Sequence, residues 1–401
     1  MGLLFGRKRG QRSSRSNSTV GNLPFMRFLG PGVSAGGIVT AVFMFMTGRV
    51  DFAAFDLIRG TVASAESQPA GPLGNPGVQG DPGQFANSSP GNFAPGSQAS
   101  GSLGVGPSVQ PVTLNQLGQR SAATIRIATF NIQIFGKKKM SNANVMSVIA
   151  NVVSQFDVVA IQEVRGGDAA PVRALVDLLR ASGAQYSATV SEPIGRTSQT
   201  ESYAYVWDDS RIQFVPESAY LVQDPADRMH REPMVASFST RVNPSSGRPP
   251  FRFTLINAHT SPSEVTASAI GNEMNVLDDV FVRVREYDNQ ISGEEDTIML
   301  GDLNVDTRGL RELAQIPNVS SIAGDTKTNT LGTKTYDHIL IDHTMTREFT
   351  GRYGVLQFQS DFGLTAEQAK SVSDHQPLWA EFSAYEMPQF DPVAGTPSSV
   401  R

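Results

Sequence analysis

The chain has 401 residues, 39% hydrophobic and 18% charged, which is ample for a large core and excludes a collagen or a wholly disordered chain. Cysteine is absent, so disulfides, thiolate nucleophiles and cysteine metal sites are excluded; any metal must sit among Asp, Glu, Asn and His, a donor set that favours Mg²⁺, Ca²⁺ or Mn²⁺. The net charge is −5, yet residues 1–60 hold eight basic and two acidic residues, which leaves the remainder clearly acidic and unable to attract nucleic acid by bulk charge.

Arg7, Lys8, Arg9, Arg12, Arg15 and Arg27 precede an uncharged stretch at residues 28–48, with an apolar run at 38–46. About 20 residues cross a bilayer as a helix; Pro31 and several glycines interrupt this one. The basic flank places the N-terminus on the cytoplasmic side. The expectation is a signal anchor or long signal peptide within residues 1–60 and a body outside the cytoplasm, membrane-anchored or secreted. A basic tail followed by a buried helix is the alternative. Residues 61–119 are rich in Gly, Pro and Ser and predict a disordered linker, and residues 385–401 a loose tail.

The folded body is expected over residues 120–384. Residues 124–132 alternate and predict a strand. Ser141 is placed to cap a helix with Val145, Val148, Ile149, Val152 and Val153 on one face. Residues 156–164 predict a buried strand and residues 172–181 an amphipathic helix. Strand-like runs follow at 203–207, 234–240 and 251–259, then a helical pattern at 268–287. Further strands are predicted at 297–303, 336–341 and 377–383. Helices alternate with strands early and strands dominate later, which predicts an α/β fold of two packed sheets with helices outside.

Residues of the types that bind hard metals or move protons fall at the ends of these strands. Asn131 ends the first and Glu163 the second; His259 ends the 251–259 run; Asp302 and Asn304 follow residues 297–300; Asp374 and His375 precede the last strand. A single such residue is usually a turn or cap. Five such places in one chain point to a site assembled from strand ends.

The chain here resembles the endonuclease/exonuclease/phosphatase superfamily, and within it the deoxyribonuclease I branch. The resemblance spans about residues 125–382. It is carried by Ile-Arg-Ile-Ala-Thr-Phe-Asn-Ile-Gln-Ile-Phe-Gly, Ile-Gln-Glu-Val-Arg, Ser-Glu-Pro-Ile-Gly-Arg, Arg-Glu-Pro-Met-Val, Ala-His-Thr-Ser-Pro-Ser, Gly-Asp-Leu-Asn, Thr-Tyr-Asp-His-Ile and Ser-Asp-His-Gln-Pro. The resemblance implies a four-layer α/β/β/α sandwich. It implies a metal-dependent endonuclease that cleaves DNA, most readily double-stranded, to 5′-phosphate and 3′-hydroxyl ends.

By the same resemblance Glu163 and Asp302 are the metal carboxylates, with Asp374 as a third and Asn131 nearby. Asn131 and Asn304 are also placed to donate to phosphate oxygens. His259 pairs with Glu201 and His375 with Asp337, one histidine acting as general base and the other as general acid. The implied cofactor is Mg²⁺ or Mn²⁺. Arg165 and Arg231 match positively charged DNA contacts. Gln133 and Gln199 depart from the pattern, standing where the branch has an arginine and an aromatic. Residues 326–330 and Glu232 lie where the family binds structural Ca²⁺. Competing readings are a phosphatase or sphingomyelinase-like phospholipase of the same superfamily, an abasic-site repair endonuclease, and an inactive nucleic-acid-binding module.

Overall fold

The computed structural model describes residues 63–64 and 117–388. The basic flank, the apolar stretch at 28–48, most of the expected linker and residues 389–401 lie outside the described residues. The chain divides into residues 1–53 and 54–401, and every described residue belongs to the second unit. No helix among the described residues is long and apolar enough to cross a membrane.

In chain order come β1 (Ala63–Ser64), β2 (Thr124–Phe135), α1 (Lys137–Met140), α2 (Ala143–Val153), β3 (Val158–Val164), α3 (Ala170–Ala181), β4 (Tyr186–Val190) and β5 (Ser202–Asp208). Next are β6 (Ile212–Phe214), β7 (Tyr220–Leu221), β8 (Met234–Thr240), β9 (Arg252–His259), α4 (Met274–Ser292) and β10 (Thr297–Asp302). The body ends with β11 (Val319–Ser321), β12 (Asp337–Asp342), β13 (Phe349–Val355), α5 (Phe358–Asp361), α6 (Ala366–Val372) and β14 (Leu378–Ser383).

One sheet runs β1-β4-β5-β3-β2-β14-β13; the other runs β11-β12-β10-β9-β8-β6, with β7 also paired to β8. Each has one parallel pair near its centre, β2 with β3 and β9 with β10. Alternation along these strands divides the side chains between two faces. Ile125, Ile127, Val158 and Tyr205 of the first sheet meet Phe238, Leu255, Ile298 and Ile339 of the second in the inter-sheet core. The opposite face of the first sheet, with Phe130, Val159 and Ile161, packs under Ile149 and Val152 of α2 and Leu175 and Leu179 of α3. On the far side, Ile256, Met299 and Leu340 pack under Leu277, Val280 and Phe281 of α4. The order helix, sheet, sheet, helix is the four-layer sandwich expected from the sequence.

Local departures have physical causes. The cap of α2 is Asn142, whose side chain accepts from Val145 N, rather than Ser141. The short helix α1 occupies the chain up to Met140, and Ser141 closes it by donating to the Lys138 carbonyl. Helix α4 starts at Met274, later than the pattern suggests, because the Glu273 carboxylate is tied to Ser261 N and His230 N. Strand β13 is an edge strand whose exposed residues, 350–352, run together, so it carries no clean alternation. Leu117, inside the expected linker, is buried, and Arg126 donates to its carbonyl at 2.6 Å.

Candidate active site

The site grows out of the inter-sheet core. On β9, Phe253 and Leu255 face inward, and the same alternation ends at His259; on β10, Ile298 and Leu300 lead to Asp302. On β2, Ile125 and Ile127 lead to Asn131. Antiparallel β12 begins where these strands end, so its inward series starts with Asp337. Register then puts Asp302 between His259 on one neighbour and Asp337 on the other.

Glu163 reaches the same place by breaking its alternation. Its φ is +62°, and the pairing of β3 with β5 slips between Ile161 and Val164. A matching irregularity in β2 leaves Ile134 at φ +50°, and Ile134 N donates to Glu163 Oε2 at 2.8 Å. Asn304 has φ +54°. Such backbone costs roughly 1–3 kcal/mol per residue and persists only where the surroundings enforce it. All three strained residues flank the candidate site.

Two histidine–carboxylate pairs form. His259 Nδ1 lies 2.5 Å from Glu201 Oε1, and His375 Nδ1 lies 2.8 Å from Asp337 Oδ2. All four side chains are buried. Burial alone lowers the proton affinity of His259, but Glu201 and Asp302 outweigh it and raise its pKa. For His375 burial is again opposed, by Asp337, Asp302 and Asp374, and the pKa is pushed up to about 10. Burial pushes the Glu201 carboxyl up, but His259, Arg231 and Arg165 together hold it below the usual carboxylate range.

Asn131 joins two of the expected metal carboxylates. Its Nδ2 donates to Glu163 Oε1 at 3.2 Å and to Asp302 Oδ2 at 2.9 Å. Both amide hydrogens are thus committed, which leaves Oδ1, a buried acceptor without a partner. That free oxygen suits a cation. Asp374 stands with Gln133, whose Nε2 donates to Asp374 Oδ2 at 2.9 Å. Asn304 N donates to Asp302 Oδ1, and its Nδ2 donates to the Thr260 carbonyl at 3.0 Å.

Oxygens of Asp302 and Asp337 and a nitrogen of His375 all lie within 4.8 Å of one another. Asp337 Oδ1, like Asn131 Oδ1, is buried and unpartnered. Unsatisfied oxygens among carboxylates fit a hard divalent cation. The expected calcium positions look different. Thr328 Oγ1 is occupied, accepting from Tyr336 N and Asp337 N, while Glu232 lines a cavity of about 340 Å³ with Glu192 and Asp224.

Arg165 and Arg231 are drawn inward. Arg165 Nη2 is 3.1 Å and Arg231 Nε 3.0 Å from Glu201, and both guanidinium groups also donate to backbone carbonyls, including Gln199 O and His259 O. They brace the carboxylate that orients His259. Sequence reasoning missed the polar layer beneath the site, where Gln162 Nε2 donates to Asn257 Oδ1 at 2.6 Å and to Thr129 Oγ1 at 3.0 Å. Its signal was present: Thr129, Gln162 and Asn257 fall on inward positions. Lys139 was also missed. Its Nζ donates to the Val372 carbonyl, and burial holds its pKa down to about 8 against the pull of Glu163 and Asp374.

Residues 128–375 match the model of the Endonuclease/Exonuclease/phosphatase family. Deoxyribonuclease-1-like 2 of Homo sapiens is 32% identical over 300 residues, covering 68% of this chain and 97% of that protein. Deoxyribonuclease-1 of Homo sapiens is 30% identical over 277 residues, covering 65% of this chain and 92% of that protein. A solved family protein from Bacteroides thetaiotaomicron aligns over 66% of this chain at 14% identity and a TM-score of 0.45. The chain belongs to the endonuclease/exonuclease/phosphatase family and is a DNase I-like phosphodiesterase within it.

Proposed function

We propose that the chain is a divalent-cation-dependent endonuclease that hydrolyses DNA, leaving 5′-phosphate and 3′-hydroxyl ends. The observation that carries this reading is the convergence of two imidazoles, each fixed by a buried carboxylate, on Asp302. Likeness to proteins named deoxyribonuclease supports DNA as the substrate.

A phosphodiester is anionic and resists hydroxide, so its hydrolysis needs charge neutralisation, an activated water and a protonated leaving oxygen. Glu201 and Asp337 accept from Nδ1–H of their histidines, which leaves each Nε2 for the substrate. One imidazole, in its neutral form, takes a proton at Nε2 from the attacking water; the other, as imidazolium, gives the proton on its Nε2 to the departing O3′. Asn304 donates through its remaining amide hydrogen to a phosphate oxygen. Glu163, Asp302 and Asn131 would hold the cation, with Asp374 nearby, and the cation when bound supplies charge neutralisation at the phosphate. Arg165 and Arg231 keep Glu201 ionised and in place. In this reading the basic flank and apolar stretch at residues 28–48 direct the body out of the cytoplasm, which protease treatment of intact cells tests: a body protected until lysis contradicts export.

The function test is nicking of supercoiled plasmid by the full chain in Mg²⁺, in Mn²⁺ and in EDTA. Nicking in either metal and none in EDTA is expected. New ends should accept a radiolabelled phosphate by kinase only after phosphatase treatment. No nicking with any divalent ion, alongside release of phosphocholine from sphingomyelin, would favour the phospholipase reading.

A further inference from the structure

A second cluster of carboxylates sits at the other end of the sandwich. Strand β10 runs six residues from Thr297 to Asp302, about 20 Å of extended chain. Asp296 precedes that strand, Glu348 precedes β13 and Glu386 follows β14, so the three come from both sheets. One carboxylate oxygen from each lies within 4.8 Å of the other two. Asp296 is 7% and Glu348 2% exposed.

Two arginines stand near them. Arg252 Nε is 3.7 Å from neighbouring Glu294, on a side chain nearly half exposed. Arg347 pulls the pKa of Glu348 down against its burial and donates Nη1 to the Pro388 carbonyl. Asp296 Oδ1 and Glu348 Oε2 are buried with no hydrogen-bond partner. A fourth group of another kind stands there. Thr346 is 1% exposed, its hydroxyl faces Asp296, and Oγ1 has no partner in hydrogen-bond geometry. A buried hydroxyl beside unpartnered carboxylate oxygens is a polar group awaiting a ligand.

The chemistry selects the ligand. All four groups offer oxygen and none offers nitrogen or sulfur, which favours a hard cation. Ligand oxygens sit about 2.3–2.6 Å from Ca²⁺, so oxygens on opposite sides of the ion are about 4.8 Å apart. Mg²⁺ demands a tighter octahedron and keeps its waters. We propose that Asp296, Thr346, Glu348 and Glu386 form a structural Ca²⁺ site that clamps the two sheets at the end remote from Asp302. The site also fastens the exit of β14, because Met387 N donates to Glu348 Oε1 at 2.6 Å and Arg252 N to Glu386 Oε1 at 2.8 Å.

The test is calcium stoichiometry of the full chain by equilibrium dialysis, with thermal unfolding in Ca²⁺ and in EDTA. The variant joins Asp296→Asn and Glu348→Gln, which keep shape and remove charge. It should bind one ion per chain fewer than the wild type, and part of the calcium-induced rise in Tm should vanish. Glu386→Gln alone, at a half-buried position, should weaken one calcium site at least tenfold and serves if the double variant does not fold. Unchanged stoichiometry, affinity and Tm response would overturn the site and leave three carboxyls that share protons instead.

Discussion

His259 and His375 address the same atom from opposite sheets: their Nε2 nitrogens stand 3.6 and 3.5 Å from Asp302 Oδ2. Their partners are crossed. His259 lies on β9 of the second sheet and is held by Glu201, beside β5 of the first; His375 precedes β14 of the first and is held by Asp337 on β12 of the second. Each pair forms only when the sheets dock in register, so the inter-sheet core sets the geometry of the site.

His259→Ala and His375→Ala should therefore each lower the rate of DNA cleavage at least roughly 10²-fold with the fold intact. The double variant should lose little beyond the worse single variant, because groups acting as a unit are not additive. Single-turnover rates and circular dichroism check both points. A near-wild-type rate in either variant removes that residue from the proton transfers.

Asp337→Asn should change how stability depends on pH. Folded His375, its burial outweighed by Asp337, Asp302 and Asp374, binds its proton more tightly than the usual histidine. Its contribution is fully present below pH ~6.5 and is lost as pH rises toward the folded value of about 10. Removing Asp337 should flatten that decline. Urea unfolding in EDTA across this range measures it, and an unaltered slope would mean the pairing does not hold the proton.

Gly301→Ala should destabilise the chain on the order of 3 kcal/mol and disturb Asp302. Gly301 has φ +147°, and a Cβ there would lie 1.8 Å from the Ala258 carbonyl oxygen on the paired strand. Urea midpoints check the stability. A loss under about 0.5 kcal/mol, the size of an ordinary surface change, would show that β9 and β10 can move apart freely.

Gln133→Arg should strengthen duplex binding and steepen its salt dependence by about 0.9 in log–log slope, for one more released counterion. The arginine would keep the contact to Asp374 that Gln133 makes now. Rate at saturating DNA should change less than affinity. Binding across a salt series, with Ca²⁺ replacing Mg²⁺ to slow cleavage, gives the slope. No change would place residue 133 away from the duplex.

Much of this was legible in the sequence because strand alternation carries it. Asn131, His259 and Asp302 each end an inward series, and that pattern needs no partner to be seen. The crossed pairs were visible only through family resemblance, since Glu201 and His259 lie 58 residues apart. Lys139 ends a run of three lysines that reads as a solvated face, and only the packing of α1 half-buries it. Asp296, Glu348 and Glu386 were not legible at all: three strand-flanking acids meet only once both sheets are assembled. His338 shows the opposite case. It adjoins Asp337 in sequence but is fully buried, bonded to Ser321 Oγ and the Val305 carbonyl, with its proton affinity lowered chiefly by burial.

The most direct measurement of the central claim uses DNA with a 3′-bridging sulfur at the scissile phosphate. A thiolate leaves without protonation, so this substrate bypasses the general acid but still needs the general base. One of His259→Ala and His375→Ala should recover most of the wild-type rate on it, and the other should not. Failure of both variants to recover, or recovery of both, would contradict the division of proton work between the two histidines that meet at Asp302.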